Sequence, residues 1–149
     1  MPEPYDLDRF VRAQKGIYRG VLDELRQGRK TGHWIWFIFP QIAGLGRSPM
    51  SQRFAIASLG EARAYLTHPV LGARLRECTR LVLAVEGRSA NDIFGGLDAM
   101  KVRSSMTLFH RAAPDDPEFR QVLERFYAGI ADTATDELLR AGDSKTSTT

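Results

Sequence analysis

The sequence lacks the residues that hold small folds together through disulfides or metals. Cys78 is the only cysteine, which excludes an internal disulfide framework and a cysteine-rich zinc site. The three histidines, at positions 33, 68 and 110, are too widely spaced to form a close pair of metal ligands. We therefore expect neither a bound metal nor a cofactor, and a chain of 149 residues is long enough to fold on its apolar core alone.

Long apolar runs are absent as well. No stretch of about 18 residues is uncharged and apolar enough to cross a bilayer. The first ten residues, MPEPYDLDRF, are acidic and contain proline, whereas a signal peptide starts with basic residues and continues with apolar ones. These absences predict a cytoplasmic protein with no membrane partner.

Acidic residues are missing from the whole interval between Glu24 and Glu61. The cations of this interval are Arg26, Arg29, Lys30, Arg47 and Arg53. A surface of one charge sign favours an anionic partner. Nucleic acid is the less favoured partner, because no basic run of five or more residues occurs. A solvated basic surface that keeps the protein soluble is the alternative interpretation.

No segment alternates between apolar and polar residues with a period of two, as half-buried strands do. Apolar residues recur instead at helical spacing between short Gly and Pro breaks. The pattern predicts an all-α fold, with a single compact domain over residues 1–140 built as an orthogonal bundle of about 6–8 helices, some of them short. The small and polar stretch 141–149, AGDSKTSTT, is predicted to be a disordered tail.

Two long helices carry the clearest apolar stripes. One is predicted over residues 7–27, with Gly28 near its end, and the other over residues 69–86. The segment 33–41, HWIWFIFPQ, is apolar without a period, and we interpret it as a short buried helix ended by its proline. The other predicted helices cover residues 52–57, 60–67, 97–112, 116–128 and 133–140.

Polar side chains interrupt three of these apolar stripes. Gln14 lies in the middle of the first stripe, and Arg74 lies in the middle of the stripe of the second long helix. Asp98, Lys101 and Ser105 share one face of their helix and have apolar residues on both sides. A polar group inside an apolar face costs free energy unless it finds a partner. These side chains therefore predict either an internal polar network that fixes helix packing or a ligand pocket.

The loop 42–48, IAGLGRS, has features of a phosphate-binding turn. Its glycines let backbone N–H groups approach an anion, while Arg47 supplies charge and Ser48 supplies a hydroxyl. It matches neither glycine-rich nucleotide fingerprint, and a tight turn between helices is the alternative. The neighbouring Trp34 and Trp36 are predicted either to belong to the core or to stack on a planar ring of a ligand.

Three blocks, HWIWFIFPQIAGLGRS, EARAYLTHPVLGARL and KVRSSMTLF, give the chain a family resemblance over residues 6–139. It resembles a bacterial domain-of-unknown-function family whose members are often labelled calpastatin. The resemblance implies an all-helical single domain and no settled activity. The chain departs from the family pattern before Lys101, where it has LDAM and the family commonly shows Pro-Asp-Asp-Leu. In layout only, it is also similar to the NADAR family, which is linked with NAD and ADP-ribose metabolism.

Together these observations predict a pocket for a small anionic ligand that bears phosphate, such as a nucleotide or an ADP-ribose derivative. For an enzyme we expect N-glycosidic hydrolysis, with Asp98, Glu61 or Lys101 as the catalytic candidates. The alternative is a non-catalytic protein-interaction or nucleic-acid-associated module that uses the basic surface of residues 25–60. The oligomeric state stays open. The predicted ligand-binding residues are Gln14, Trp34, Trp36, Gln41, Arg47, Ser48, Arg74, Lys101 and Ser105.

Overall fold

A computed structural model of the chain describes residues 5–147, and over that range it confirms the predicted all-α fold. The described residues form ten helices and no strand, apart from one isolated parallel bridge between Ile42 and Ile56. The count exceeds the predicted 6–8 because four of the helices have seven residues or fewer. The helices are α1 (Asp8–Gln14), α2 (Tyr18–Gln27), α3 (Ile35–Ile38), α4 (Pro49–Arg53), α5 (Leu59–Thr67), α6 (Leu71–Ala84), α7 (Ala90–Phe94), α8 (Gly96–Ala112), α9 (Pro117–Tyr127) and α10 (Thr133–Ser147).

The single helix predicted over residues 7–27 is wrong at its centre. α1 ends at Gln14 and α2 begins at Tyr18, with Gly16 between them at a φ of 82°. A left-handed residue cannot continue a right-handed helix, and glycine adopts that conformation without a steric penalty. The predicted end is confirmed, since Gly28 is the C-cap of α2 with a φ of 71°. The chain therefore turns at a glycine joint between two shorter helices.

α8 is the central helix of the fold. It packs against α5, α7, α9 and α10 and also contacts α3. Val102, Met106 and Phe109 of α8 have no exposed surface. The Phe109 ring lies 5.4 Å from the Tyr65 ring of α5 and 5.9 Å from the Phe119 ring of α9, measured between centroids. α6 packs against α2, α5 and α9, so α6 and α8 provide a fixed frame for the shorter helices.

The short buried helix predicted in the apolar segment is confirmed as α3. Its neighbours are α1 and α8. Trp34, which precedes the helix, is 3% exposed, and Phe37 within it is 9% exposed. α3 therefore brings a dense group of aromatic side chains between the glycine joint and the central helix.

Polar contacts fix the start of α10 against α8. The Ser104 hydroxyl donates a hydrogen bond to Asp132 Oδ2 at 3.0 Å, and the backbone N–H of Asp132 donates to Thr107 Oγ1 at 2.9 Å. Helix α10 then continues through residues 141–147, where the composition predicts a disordered tail; residues 148–149 lie outside the described residues. Over residues 5–147, no helix has both the length and the apolar character needed to cross a bilayer.

Candidate functional site

A cavity of about 500 Å³ lies at the joint between α1 and α2, with α6 contributing to its wall. We call it the arginine cavity. The cations that line it are Arg12, Lys15, Arg19 and Arg74. Asp8 is the one carboxylate among its lining residues, and it forms an ion pair with Arg12. Four cations against one carboxylate leave the cavity positive, which favours an anion.

Gln14 and Arg74, which the sequence places within apolar stripes, meet at this cavity. Gln14 is 1% exposed, and its side-chain amide donates a hydrogen bond to the carbonyl of Phe37 at 2.7 Å. Its Oε1 accepts a hydrogen bond from Arg74 Nη1 at 3.1 Å. Among the described residues, the Arg74 guanidinium has no carboxylate partner within ion-pair distance. An oriented, half-buried cation without a counter-charge is suited to binding an anion.

Tyr18 packs its ring against the guanidinium of Arg74. The guanidinium carbon of Arg74 lies 4.6 Å from the centre of the Tyr18 ring, within the range of a cation–π contact. The Tyr18 hydroxyl donates to Glu77 Oε1 at 2.6 Å and lies 3.8 Å from Cys78 Sγ. Burial raises the pKa of Tyr18 and raises the pKa of Cys78 to about 12. Both groups stay protonated at neutral pH, so they provide structure and not a nucleophile.

The first turn of α2 contributes to the same cavity. Tyr18 and Arg19 line it, and α2 begins without a side-chain cap and without an acidic residue in its first turn. The first N–H groups of a helix have no partner within the helix and carry a partial positive charge. The backbone therefore adds to the positive potential that the four cations create.

A second cavity, of about 350 Å³, adjoins the first and shares Gly16 with it. We call it the aromatic cavity. Trp34 and Phe37 line it together with the exposed His33 and with Ile17, which is 38% exposed. Its wall is largely apolar, which is typical of pockets that receive the rings of small ligands.

Glu24 fixes the loop that forms one edge of the aromatic cavity. Its Oε1 accepts hydrogen bonds from the backbone N–H of Gly32 at 2.8 Å and from Trp34 Nε1 at 3.1 Å, and also from the backbone N–H of Thr31. Burial alone would raise the pKa of Glu24, but the donors from Gly32 and Thr31 hold that pKa below its usual range. Glu24 is therefore an ionised anchor, and the loop before Trp34 is held in place.

A third group, which we call the tryptophan-lysine cluster, consists of Lys30, Trp34, Trp36, Asp98 and Lys101. Asp98 forms ion pairs with Lys30 at 2.7 Å and with Lys101 at 3.3 Å. Lys30 Nζ lies 5.1 Å from the Trp34 ring centre, and Lys101 Nζ lies 5.2 Å from that of Trp36. The two cations share one carboxylate and each also contacts an aromatic ring, so both already have partners within the fold.

Two polar atoms near this cluster have no hydrogen-bond partner among the described residues. They are Trp36 Nε1 and the hydroxyl oxygen of Ser105, and both are buried. Ser105 lies one turn after Lys101 on α8. Ser105 was predicted to orient a ligand. No hydrogen bond among the described residues accounts for the burial of its hydroxyl.

The remaining predicted residues lie outside these three groups. Glu61 is 3% exposed, forms an ion pair with Arg9 at 3.1 Å and accepts a hydrogen bond from the backbone N–H of Ala57 at 2.7 Å. Ser48 is the N-cap of α4 and accepts from the backbone N–H of Ser51 at 3.1 Å. Arg47 precedes it on the surface. These contacts account for Glu61 and Ser48 as parts of the fold.

Gln41 is half-buried before the bridge, and its carbonyl accepts from the backbone N–H of Ile56 at 2.8 Å. The predicted residues are thus divided: Gln14 and Arg74 meet at the arginine cavity, whereas Asp98 and Lys101 meet at the tryptophan-lysine cluster. The aromatic cavity shares Gly16 with the former and Trp34 with the latter.

Sequence reasoning missed most of the cations of the arginine cavity. Arg12, Lys15 and Arg19 follow one another at spacings of three and four residues, which places them on one face of the helix predicted there. That spacing could have pointed to them. Tyr18 falls on the apolar stripe of the helix predicted over residues 7–27, and only its contact with Arg74 shows its role.

Comparisons with known proteins agree with the fold and leave the activity open. The chain is 54% identical to a protein of known structure from Mycobacterium tuberculosis, the conserved hypothetical protein Rv1873; the match covers 93% of this chain and 99% of that one, with a TM-score of 0.91. No curated protein matches. Neither the calpastatin label nor a likeness to the NADAR family emerges from these comparisons. A family model described as "Protein of unknown function (DUF1810)" matches residues 4–139, and the chain therefore belongs to the DUF1810 family.

Proposed function

We propose that this protein binds a small anion that bears phosphate in the arginine cavity. The observation that carries the proposal is the state of Arg74: it is oriented by Gln14 and Tyr18, faces a cavity with three further cations, and has no carboxylate partner among the described residues. A guanidinium binds phosphate through several N–H donors at once, and the uncapped first turn of α2 adds backbone donors.

The finer form of the proposal names a nucleotide or an ADP-ribose derivative as the ligand. The size of the arginine cavity supports a group as large as a phosphate or a diphosphate, and the adjoining aromatic cavity leaves room for more of such a molecule. The likeness to the NADAR family rests on layout alone and adds nothing to this support.

N-glycosidic hydrolysis stays a prediction without geometric support. Asp98 is paired with Lys30 and Lys101, and Glu61 is paired with Arg9. Neither carboxylate is among the residues that line the arginine cavity. A general acid or base has to reach the reacting group, so an anion in this cavity has no catalytic carboxylate of the predicted set beside it.

The alternative, an interaction module that uses the basic surface of residues 25–60, also stays a prediction. Lys30 of that interval is neutralised by Asp98, and Arg26 forms an ion pair with Asp23 at 3.5 Å. Part of the charge that the sequence counts as basic surface is therefore already balanced.

The test is the binding of inorganic pyrophosphate to the full chain, measured by isothermal titration calorimetry. We expect Arg74→Gln to weaken binding by about tenfold or more, because a bound phosphate loses a charged donor. Arg80→Gln is the matched control: it removes the same charge from the same helix, at an ion pair with Glu118 outside the cavity. We expect that control to change the affinity by less than about twofold.

Lys101→Gln distinguishes the two groups of predicted residues, since Lys101 was expected to meet the anion. With the anion in the arginine cavity, Lys101→Gln leaves the affinity for pyrophosphate within about twofold of the wild type. A large loss in Lys101→Gln together with no loss in Arg74→Gln would move the site to the tryptophan-lysine cluster. No binding of pyrophosphate to the wild type would overturn the proposal.

A further inference from the structure

We infer where the planar ring of such a nucleotide binds: with its phosphate in the arginine cavity, the ring enters the aromatic cavity beside Gly20. This inference rests on the proposed function, because it places the phosphate of the same ligand in the arginine cavity. Gly16 lines both cavities, which supports placing one molecule across them.

Gly20 is a glycine that the fold itself does not require. It lies in the first turn of α2, where its φ is outside the left-handed region, and a Cβ at this position would have no atom within 4 Å. Glycine inside a helix lowers stability relative to alanine. The open space beside it belongs to the aromatic cavity, which Gly20 lines. A ligand that approaches the helix backbone closely is a physical reason to have no side chain there.

Gly16, which lines both cavities, also has open space beside its backbone. A Cβ at Gly16 would also meet nothing within 4 Å, although its φ of 82° already favours glycine. Gly16 lies in the joint and Gly20 in the first turn of α2, four residues later; Gly16 lines both cavities and Gly20 lines the aromatic one, so neither wall has a side chain at these positions. A ligand whose phosphate lies beside Arg74 therefore passes over bare backbone on its way to the aromatic cavity.

The walls of the aromatic cavity suit a planar ring with polar edges. Trp34 and Phe37 line the cavity with apolar surface, while Ile17 and His33 are exposed beside it and become covered when a ring enters. Glu24 also lines the cavity, and its Oε1 accepts from the backbone N–H groups of Thr31 and Gly32 and from Trp34 Nε1. A carboxylate has about four acceptor sites, so Glu24 has capacity left to accept a hydrogen bond from an N–H group of the ring.

The test compares adenosine 5′-monophosphate with ribose 5-phosphate, which keeps the sugar and the phosphate and lacks the ring. Both are titrated into the full chain by calorimetry. We expect adenosine 5′-monophosphate to bind at least about tenfold more tightly, because it alone covers the aromatic cavity. Equal affinities for the two ligands would overturn the ring inference and leave the proposed anion site standing, whereas no binding of either would overturn both.

The variant Gly20→Leu tests whether the ring of the ligand binds in the aromatic cavity. A leucine side chain at this position takes up space that the ring needs in the aromatic cavity, so we expect the affinity for adenosine 5′-monophosphate to fall to that for ribose 5-phosphate. Gly96→Leu is the matched control, because Gly96 is also in the first turn of a helix and a Cβ there also meets nothing within 4 Å. Circular dichroism checks that both variants fold, and Gly20→Ala serves as the milder variant. An unchanged preference for adenosine 5′-monophosphate in Gly20→Leu places the ring elsewhere and contradicts the inference.

Discussion

The arginine cavity and the tryptophan-lysine cluster contain similar side chains and balance their charges differently. In the cluster, Asp98 lies between two lysines, and Lys30 is only 7% exposed. In the cavity, Arg74 is held by an amide and a tyrosine ring and has no carboxylate partner among the described residues. A buried cation needs a counter-charge to be tolerated, whereas a half-buried one can obtain it from a ligand. This difference in charge balance distinguishes the tryptophan-lysine cluster, which stabilises the fold, from the arginine cavity, which can bind an anion.

The largest effect is expected from removing the counter-charge of the cluster. Asp98→Ala leaves the buried Lys30 and the partly buried Lys101 without their carboxylate, and we expect the free energy of unfolding to fall by about 3 kcal/mol. Urea denaturation at pH 7 measures this change. Adding Lys30→Met to that variant should recover part of the lost free energy of unfolding, because the unpaired buried charge of Lys30 is then removed. A loss below about 1 kcal/mol would show that Asp98 is not what stabilises the cluster.

At the arginine cavity, Gln14→Leu is expected to lower the free energy of unfolding by about 2 kcal/mol, because it leaves the buried carbonyl of Phe37 unpaired. It also removes the acceptor that orients Arg74, so the affinity for pyrophosphate should fall severalfold. The control Gln27→Leu makes the same change on the exposed side of α2. Urea denaturation and calorimetry measure the two effects. If the stability falls while the affinity for pyrophosphate stays the same, Gln14 only packs the core and does not position Arg74.

A smaller effect on stability, which depends on pH, is expected at Glu24 beside the aromatic cavity. Glu24→Gln weakens three hydrogen bonds to a carboxylate and should lower the free energy of unfolding at pH 7 by about 1.5 kcal/mol. The folded state lowers the pKa of Glu24, so its contribution is complete above the pKa of the unfolded chain and disappears as the pH falls through the folded pKa. Urea denaturation should therefore show that the difference in the free energy of unfolding between wild type and variant is smaller at pH 3 than at pH 7. A difference that is the same at both pH values would contradict the assigned role.

The smallest effect is expected at the glycine beside the aromatic cavity. Gly20→Ala should raise the free energy of unfolding of the unliganded protein by about 0.5–1 kcal/mol, because alanine is the better helix former and its Cβ meets no atom. Thermal unfolding without ligand measures the change. A destabilised Gly20→Ala would mean that the fold itself requires glycine there, and the reason given for a ligand approaching that position would be lost.

Much of the fold could be predicted from the sequence because it depends on local patterns. The apolar stripes, the proline that ends the apolar segment and the glycine at the end of α2 each act within one or two turns. The break at Gly16 was missed because a glycine within an apolar stripe is compatible with a continuous helix. Its left-handed φ goes with the different packing partners of the two helices, α3 for α1 and α6 for α2. The polar exceptions at Gln14, Arg74, Asp98 and Lys101 were also visible, since each interrupts a stripe.

The sequence by itself determined that this protein is all-α and which polar side chains lie among apolar ones. Only the tertiary structure decided which of these side chains meet. Lys30 and Asp98 are far apart in the chain, as are Gln14 and Arg74, and their pairing depends on how the helices that carry them are packed. Helical periodicity is a property of neighbouring residues, whereas charge balance is set by distances between remote ones, and those distances leave Arg74 without a carboxylate and provide Lys30 with one.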